Sequence, residues 1–239
     1  MNSVTERFSL KDHLFNQEKV RKIADEIASA YPEFATQKFV KAVVEGFPDR
    51  ELMERLYLVR DCLREFLPSE YRTAVQILLE SLPPANDPAL TDNDFGDFIY
   101  GPYGSFVAEY GATEADLDFS LTALYEITKR FSVEFPIRAF LNTFPKETLK
   151  KLALWSKDSN YHVRRLVSEG TRPKLPWAQS IDIDYKKPLA FLDTLHADKT
   201  RYVTRSVANH MNDIAKRDPK RAVATLKRWQ REGKQTEKE

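Results

Sequence analysis

One stretch of this chain is written twice. Pro145-Lys-Glu-Thr-Leu149-Lys-Lys-Leu152-Ala-Leu-Trp155 returns 74 residues later as Pro219-Lys-Arg-Ala-Val223-Ala-Thr-Leu226-Lys-Arg-Trp229. Between the two copies, Asp158…Val163-Arg-Arg165-Leu-Val167 matches Asp198…Val203-Thr-Arg205-Ser-Val207 at an offset of 40. Each unit reads as a helix with an aliphatic stripe, a turn containing Asp, and a second helix opening near Val-x-Arg. A helix pair of this kind cannot bury its apolar faces alone, so units stack on their neighbours. The chain is therefore expected to be all-α, a solenoid of stacked antiparallel helix pairs. Its second helices would line one concave, basic groove, with Arg164, Arg165 and Arg205 at equivalent places.

A period near 40 residues is that of HEAT-like units. Upstream, the apolar spacing predicts helices over Lys11–Tyr31, from Pro32 to about Gly46, Arg50–Phe66 and Ser69–Leu82, joined by short connectors. Pro32 fits the first turn of its helix, where a missing N–H costs nothing. Pro83, Pro84 and Pro88, followed by Asp92, Asn93, Asp94, Gly96 and Asp97, mark a loop over 83–97. The aromatic run Phe95, Phe98, Tyr100, Tyr103, Phe106 and Tyr110 reads mainly as packing around a helix at 101–110. A base-stacking platform is the alternative. Thr113–Phe131 reads as a long helix. Ser132–Leu141 reads as a short one on which Glu134 and Arg138 share a face. The expected organisation is a single domain over 1–239: N-terminal helices 1–82, an acidic loop 83–97, HEAT-like repeats 98–232 and a frayed tail 233–239.

Charge is unevenly spread. Residues 61–120 sum to −10 and residues 121–239 to +11, within a chain of net charge +1. A polyanionic partner would meet the C-terminal half. Seven glycines disfavour an all-β or Rossmann fold, and a single cysteine, Cys62, excludes an intramolecular disulfide framework or a cysteine metal cluster. No apolar run approaches the roughly 20 residues of a membrane span, and no signal pattern opens the chain. A reduced, cytoplasmic setting is expected.

No P-loop, GxGxxG, HExxH or GxSxG pattern is present, and His13, His162, His196 and His210 do not sit at metal-ligand spacings. Neither a metal nor a cofactor is expected. What remains is a constellation of carboxylates, cations and aromatics around residues 155–177. Asn160 is placed to cap a helix over Tyr161–Glu169 and Gly170 to end it. Glu169 closes that helix, Asp213 lies in the next repeat and Glu134 near the start of the preceding helix. Arg164, Arg165, Arg172, Lys174 and Trp177 surround them. All three carboxylates could line one groove. Alternatively each could pair with a nearby arginine: Glu134 with Arg138, Glu169 with Arg165, Asp213 with Arg217.

Three segments carry a resemblance: Arg130-Phe-Ser-Val-Glu134-Phe-Pro-Ile-Arg138-Ala-Phe, His162-Val-Arg-Arg-Leu-Val-Ser-Glu169-Gly-Thr-Arg-Pro-Lys-Leu-Pro-Trp177 and Ser206-Val-Ala-Asn-His-Met-Asn-Asp213-Ile. Together they resemble the AlkC branch of the HEAT-like DNA glycosylases, sister to the AlkD branch, specifically over about 130–215. The resemblance implies excision of cationic alkylated bases of the 3-methyladenine type from duplex DNA, by hydrolysis of the N-glycosidic bond without a base-flipping pocket. It implies that Glu134, Glu169 and Asp213 are the active-site carboxylates and Trp177 the aromatic at the lesion. Arg164 and Arg165 match the double arginine. Lost bonding to a cationic base leaves positive charge on the sugar, which carboxylates stabilise while orienting water. A tryptophan face attracts a cation, and Arg172, Lys174, Arg205, Asn209 and His210 would serve DNA contact. Pro136 departs from the pattern, standing where a helix former is expected and able to tilt Glu134. The chain also ends without a β-rich appendix, so a short, monomeric member lacking the immunoglobulin-like domain of longer ones is expected. Both departures leave room for an altered lesion range. The other function classes are a non-catalytic module that binds nucleic-acid backbone or an acidic protein, and a scaffolding solenoid.

Overall fold

The computed structural model of the protein describes residues 9–87 and 95–234. Pro88, Asp92, Asn93 and Asp94 of the expected loop, and residues 235–239 of the expected tail, lie outside the described residues. Among those described, secondary structure is helical throughout, with one isolated bridge between Gly96 and Phe131. The chain divides into two compact units, Met1–Pro83 with Asp97–Phe106 and Pro84–Gly96 with Val107–Glu239.

The first unit holds α1 (Leu10–Leu14), α2 (Gln17–Ala30), α3 (Thr36–Glu45), α4 (Leu52–Phe66), α5 (Tyr71–Glu80), a 3-10 turn (Phe98–Tyr100) and the opening turns of α6 (Gly101–Gly111). The helix expected over Lys11–Tyr31 is broken at Asn16. Its side-chain oxygen accepts the Lys19 N–H at 3.0 Å while its amide donates to the Asp12 carbonyl at 3.1 Å, closing one helix and opening the next. Pro32 does not open α3; the segment turns through Phe34 first, and the helix starts at Thr36. The core of this unit is apolar, built from Phe15, Ile23, Ile27, Phe39, Val43, Val59, Leu63 and Val75. Tyr100, Tyr103 and Phe106 are buried, so these aromatics pack rather than stack on a ligand. Cys62 is buried too, and burial pushes its thiol up to about 11, which leaves it unreactive.

The second unit carries the repeat. Its helices are α7 (Leu117–Thr128), α8 (Pro136–Thr143), α9 (Pro145–Trp155), α10 (Tyr161–Gly170), α11 (Leu189–Leu195), α12 (Arg201–Arg217) and α13 (Pro219–Glu232). Pro145 and Pro219 each stand in the first turn of their helices, and Trp155 and Trp229 are both buried. The repeated aspartates do the same work: Asp158 accepts the Asn160 N–H at 2.8 Å and Asp198 the Thr200 N–H at 2.9 Å, each turning the chain into its second helix. Those second helices, α10 and α12, pack directly on one another. Every residue of α10 is buried. Val163, Leu166 and Val167 each contribute on the order of 1.5–3 kcal/mol by leaving water.

Two glycines are dictated by geometry. Gly96 has φ +80°, and a Cβ there would fall 1.5 Å from the Arg130 carbonyl oxygen, so the bridge to Phe131 requires glycine. Gly170 ends α10, as the sequence suggested, though not in a left-handed conformation. It is the last helical residue, and a Cβ would lie 2.6 Å from Ile137 Cγ2, so its role is the close approach of α8. The long helix expected over Thr113–Phe131 is shorter at both ends. Thr113 accepts the Asp116 N–H at 3.2 Å before α7 begins, and residues 129–131 turn toward the bridge. Among the described residues no helix is long and apolar enough to cross a membrane.

Candidate functional site: a carboxylate–arginine chain

Three segments distant in sequence meet in the second unit. Glu134 stands in the turn before α8, Glu169 is the penultimate residue of α10, and Asp213 is on α12. Two arginines link them. Arg165 Nη1 donates to Glu134 Oε2 at 3.1 Å, and its Nη2 lies 3.8 Å from Glu169 Oε2. Arg172, in the segment after α10, donates from Nη1 to Glu169 Oε1 at 2.6 Å and from Nε to Asp213 Oδ2 at 2.9 Å. The order is Glu134–Arg165–Glu169–Arg172–Asp213, continuous and largely withdrawn from water.

Pro136 is the reason Glu134 sits as it does. It occupies the first turn of α8, so Glu134 precedes the helix and is not four residues along a shared face with Arg138. The expected pair of Glu134 with Arg138 therefore does not form. Arg138 is buried and donates to three backbone carbonyls, those of Gly170 at 3.2 Å, Arg172 at 2.9 Å and Gln179. Asp213 pairs with Arg172 rather than Arg217, whose guanidinium lies 4.6 Å over the Tyr185 ring. Glu169 does meet Arg165, loosely, and Arg172 more closely.

The carboxylates differ in what they have left to offer. Both Glu169 oxygens are occupied, Oε1 by Arg172 and Oε2 by Ser206 Oγ at 2.7 Å. Burial alone would raise its pKa, but Arg165, the Ser206 hydroxyl and Arg172 more than offset this and hold the carboxyl below its ordinary value. Glu169 is thus ionised at neutral pH. Glu134 takes Arg165 and the Ser132 hydroxyl on Oε2, and Asp213 takes Arg172 on Oδ2. Among the described residues no hydrogen bond occupies Glu134 Oε1 or Asp213 Oδ1. Arg165 is itself sandwiched by aromatics, its Cζ 4.7 Å from the Tyr202 ring centroid and 5.2 Å from that of the half-exposed Phe95.

The other expected contact residues fall into two groups. Arg164 and His210 are interior. Arg164 forks onto Asp198, at 2.5 and 3.0 Å, and donates to the Asp158 and Ser159 carbonyls, so its guanidinium has no face left for phosphate. His210 is wholly buried; its Nδ1–H donates to the Ser168 carbonyl at 2.9 Å, and burial depresses its pKa to about 4, leaving it neutral. Lys174 and Asn209 are exposed and Arg205 is half-buried on α12. Trp177 is 79% exposed.

Trp177 is presented by a tight turn. The Ala178 N–H donates to the Leu175 carbonyl at 3.3 Å, with Pro176 and Trp177 between. Trp177 has φ +62°, and proline cannot take a positive φ, which makes this a type II turn with tryptophan in the place that favours glycine. Leu175, which opens the turn, is buried.

Arg138 was expected only as a partner of Glu134, and Ser132, Ser206 and Tyr202 were not singled out from the sequence. Ser206 could have been, since it lies seven residues before Asp213 and so on the same face of α12. Ser132, two residues before Glu134, is a local turn partner that only the position of Pro136 could have suggested.

No family model matches the chain. The uncharacterized protein YhaZ of Bacillus subtilis (strain 168) is 34% identical over 220 residues, 90% of this chain and 58% of that protein. The structure is similar to that of the Pseudomonas fluorescens alkylpurine DNA glycosylase AlkC bound to DNA containing an abasic site analog, with TM-score 0.80 and 34% identity over 92% of this chain and 59% of that one. The chain thus spans about three fifths of the length of each of these two proteins. The likeness to the AlkC-type branch holds in both sequence and fold over that shared length.

Proposed function

We propose that this protein is a DNA glycosylase that hydrolyses the N-glycosidic bond of cationic, N-alkylated bases of the 3-methyladenine type in duplex DNA. The observation that carries this reading is the continuous chain Glu134–Arg165–Glu169–Arg172–Asp213, in which three carboxylates converge from separate segments. Departure of a cationic base leaves an oxocarbenium-like sugar, and negative charge fixed in a low-dielectric site stabilises it without reorganisation. Glu134 Oε1 and Asp213 Oδ1 are the oxygens left to face the sugar and orient water. Glu169, ionised and fully bonded, holds both arginines and sets the field between them. The base is already a good leaving group, so no strong general acid is required, and the lesion would be worked on from the sugar side, without a base-flipping pocket. Trp177 supplies an aromatic face for the cationic lesion, and Lys174, Arg205 and Asn209 the DNA contacts, in a monomer working in the cytoplasm.

A purely binding module would want cations free for phosphate. Here Arg165 and Arg172 are neutralised by carboxylates, which favours chemistry over backbone binding. The test is release of methylated bases from alkylated duplex DNA. Glu169→Gln is expected to abolish release, by about 10²-fold or more in single-turnover rate, while undamaged duplex is bound as well or tighter. Full excision with weaker binding would sink the assignment.

A further inference from the structure

Residues 171–182, the first part of the irregular stretch between α10 and α11, carry Arg172, Lys174 and Trp177. Such a segment would ordinarily sample many conformations. Two side chains one turn apart on α8 hold it at both ends. Arg138, 1% exposed, donates to the carbonyls of Gly170 and Arg172 at its start and of Gln179 near its end. Asn142 donates to the Ser180 carbonyl at 2.9 Å and accepts the Asp182 N–H at 2.9 Å. Leu175, buried, is the one apolar anchor between. The left-handed φ of Trp177 is a second, independent sign of constraint, because a bulky residue keeps such a conformation only where its surroundings over-determine it.

We infer that Arg138 and Asn142 are positioning residues, a clamp that fixes 171–182 in the conformation that engages DNA, with Trp177 presented and Arg172 aimed at Glu169 and Asp213. The clamp removes ordering cost from the binding step, so its loss falls on affinity and alignment. Its link to excision rests on the glycosylase reading; its effect on the segment does not.

The structure supplies a reporter. Of the three tryptophans, Trp155 and Trp229 are buried, so iodide-quenchable emission belongs to Trp177. Emission anisotropy and iodide quenching would be measured in the full chain for wild type, Arg138→Lys and Asn142→Ala; Asn142 is exposed, so the second variant does not threaten folding. Both variants are expected to lower Trp177 anisotropy, raise its quenching constant and weaken binding to duplex carrying an abasic-site analog by about ten-fold. Arg138→Lys, which keeps the charge but loses the fork, should also raise KM more than it lowers kcat. Unchanged anisotropy in both variants would overturn the clamp, leaving Arg138 as a core residue only. So would lowered anisotropy with unchanged duplex affinity. Failure of the wild type to release methylated bases would sink the glycosylase reading alone, because anisotropy and duplex affinity still decide the clamp.

Discussion

Trp177 pays a backbone cost for its position. A tryptophan at φ +62°, four-fifths exposed, gains little from burial and sits where strain of about 1–3 kcal/mol is usual. Folding alone would select glycine there. Trp177→Gly is therefore expected to leave thermal stability unchanged or raise it slightly, while excision of a cationic lesion falls; Trp177→Phe should keep part of the activity. A loss of stability on Trp177→Gly, read as a drop in Tm, would show the ring to be a packing group. At this scale the sequence was informative about which carboxylates come together and poorer on their partners. Glu134, Glu169, Asp213 and Trp177 stood out from the quoted segments. Of their ion pairs Glu169 with Arg165 did, but Glu134 with Arg138 did not, because pairing by i,i+4 spacing assumes one continuous helix, and Pro136 starts α8 two residues after Glu134. Arg164 and Arg165 are neighbours in sequence but turn to different aspartate and glutamate partners, Asp198 and Glu134, since adjacent helical residues point about 100° apart.

Among the elements, α8 and α10 decide whether the carboxylates meet. Gly170 lets α8 approach until Ile137 Cγ2 would crowd any Cβ at 2.6 Å, and Glu134 is carried in on the turn before that helix. Gly170→Ala adds helix propensity worth up to about 1 kcal/mol, yet the overpacking costs about 1–3 kcal/mol. A net loss of stability is expected, accompanied by weaker excision because Glu134 moves with α8. Ile137→Ala removes the clashing methyl at the expense of a cavity. In a double-mutant cycle the two substitutions should couple favourably, the pair costing less than the sum of the singles. Additive effects would mean that α8 tolerates the methyl without moving. Helix identity was legible throughout the repeat, from the proline, aspartate and tryptophan positions. Helix ends were legible only in places, as at Asn160, which caps α10. Asn16 splits one predicted helix, and Thr113 and the Gly96 bridge trim another, because polar caps and backbone approach outweigh apolar periodicity at termini.

The stability of the whole molecule collects these buried charges into one pH dependence. His210 falls from 6.5 to about 4 on folding, first through burial. A histidine kept neutral in the native state but free to protonate when unfolded makes the unfolded state the better proton binder as pH drops. Stability present above pH 6.5 is lost on the way down to about 4, by about 3 kcal/mol in order of magnitude. Glu169 and Asp198 follow. Burial would raise both, but Arg165, Ser206 and Arg172 at one, and Arg164 and Thr200 at the other, hold them below their ordinary values. Each carboxylate contributes stability above its unfolded pKa, and that contribution disappears as pH falls through the folded one. The two regimes are separable. Wild-type Tm measured against pH should decline first between about pH 6.5 and 4 and then more steeply in stronger acid. His210→Gln, which can still donate to the Ser168 carbonyl, should flatten the first decline and leave the second in place. A first decline that survives His210→Gln would move its origin to another group. If the second decline were absent, Arg165 and Arg172 would not be holding Glu169 charged in the folded state, and the electrostatic field proposed for base release would lose its centre.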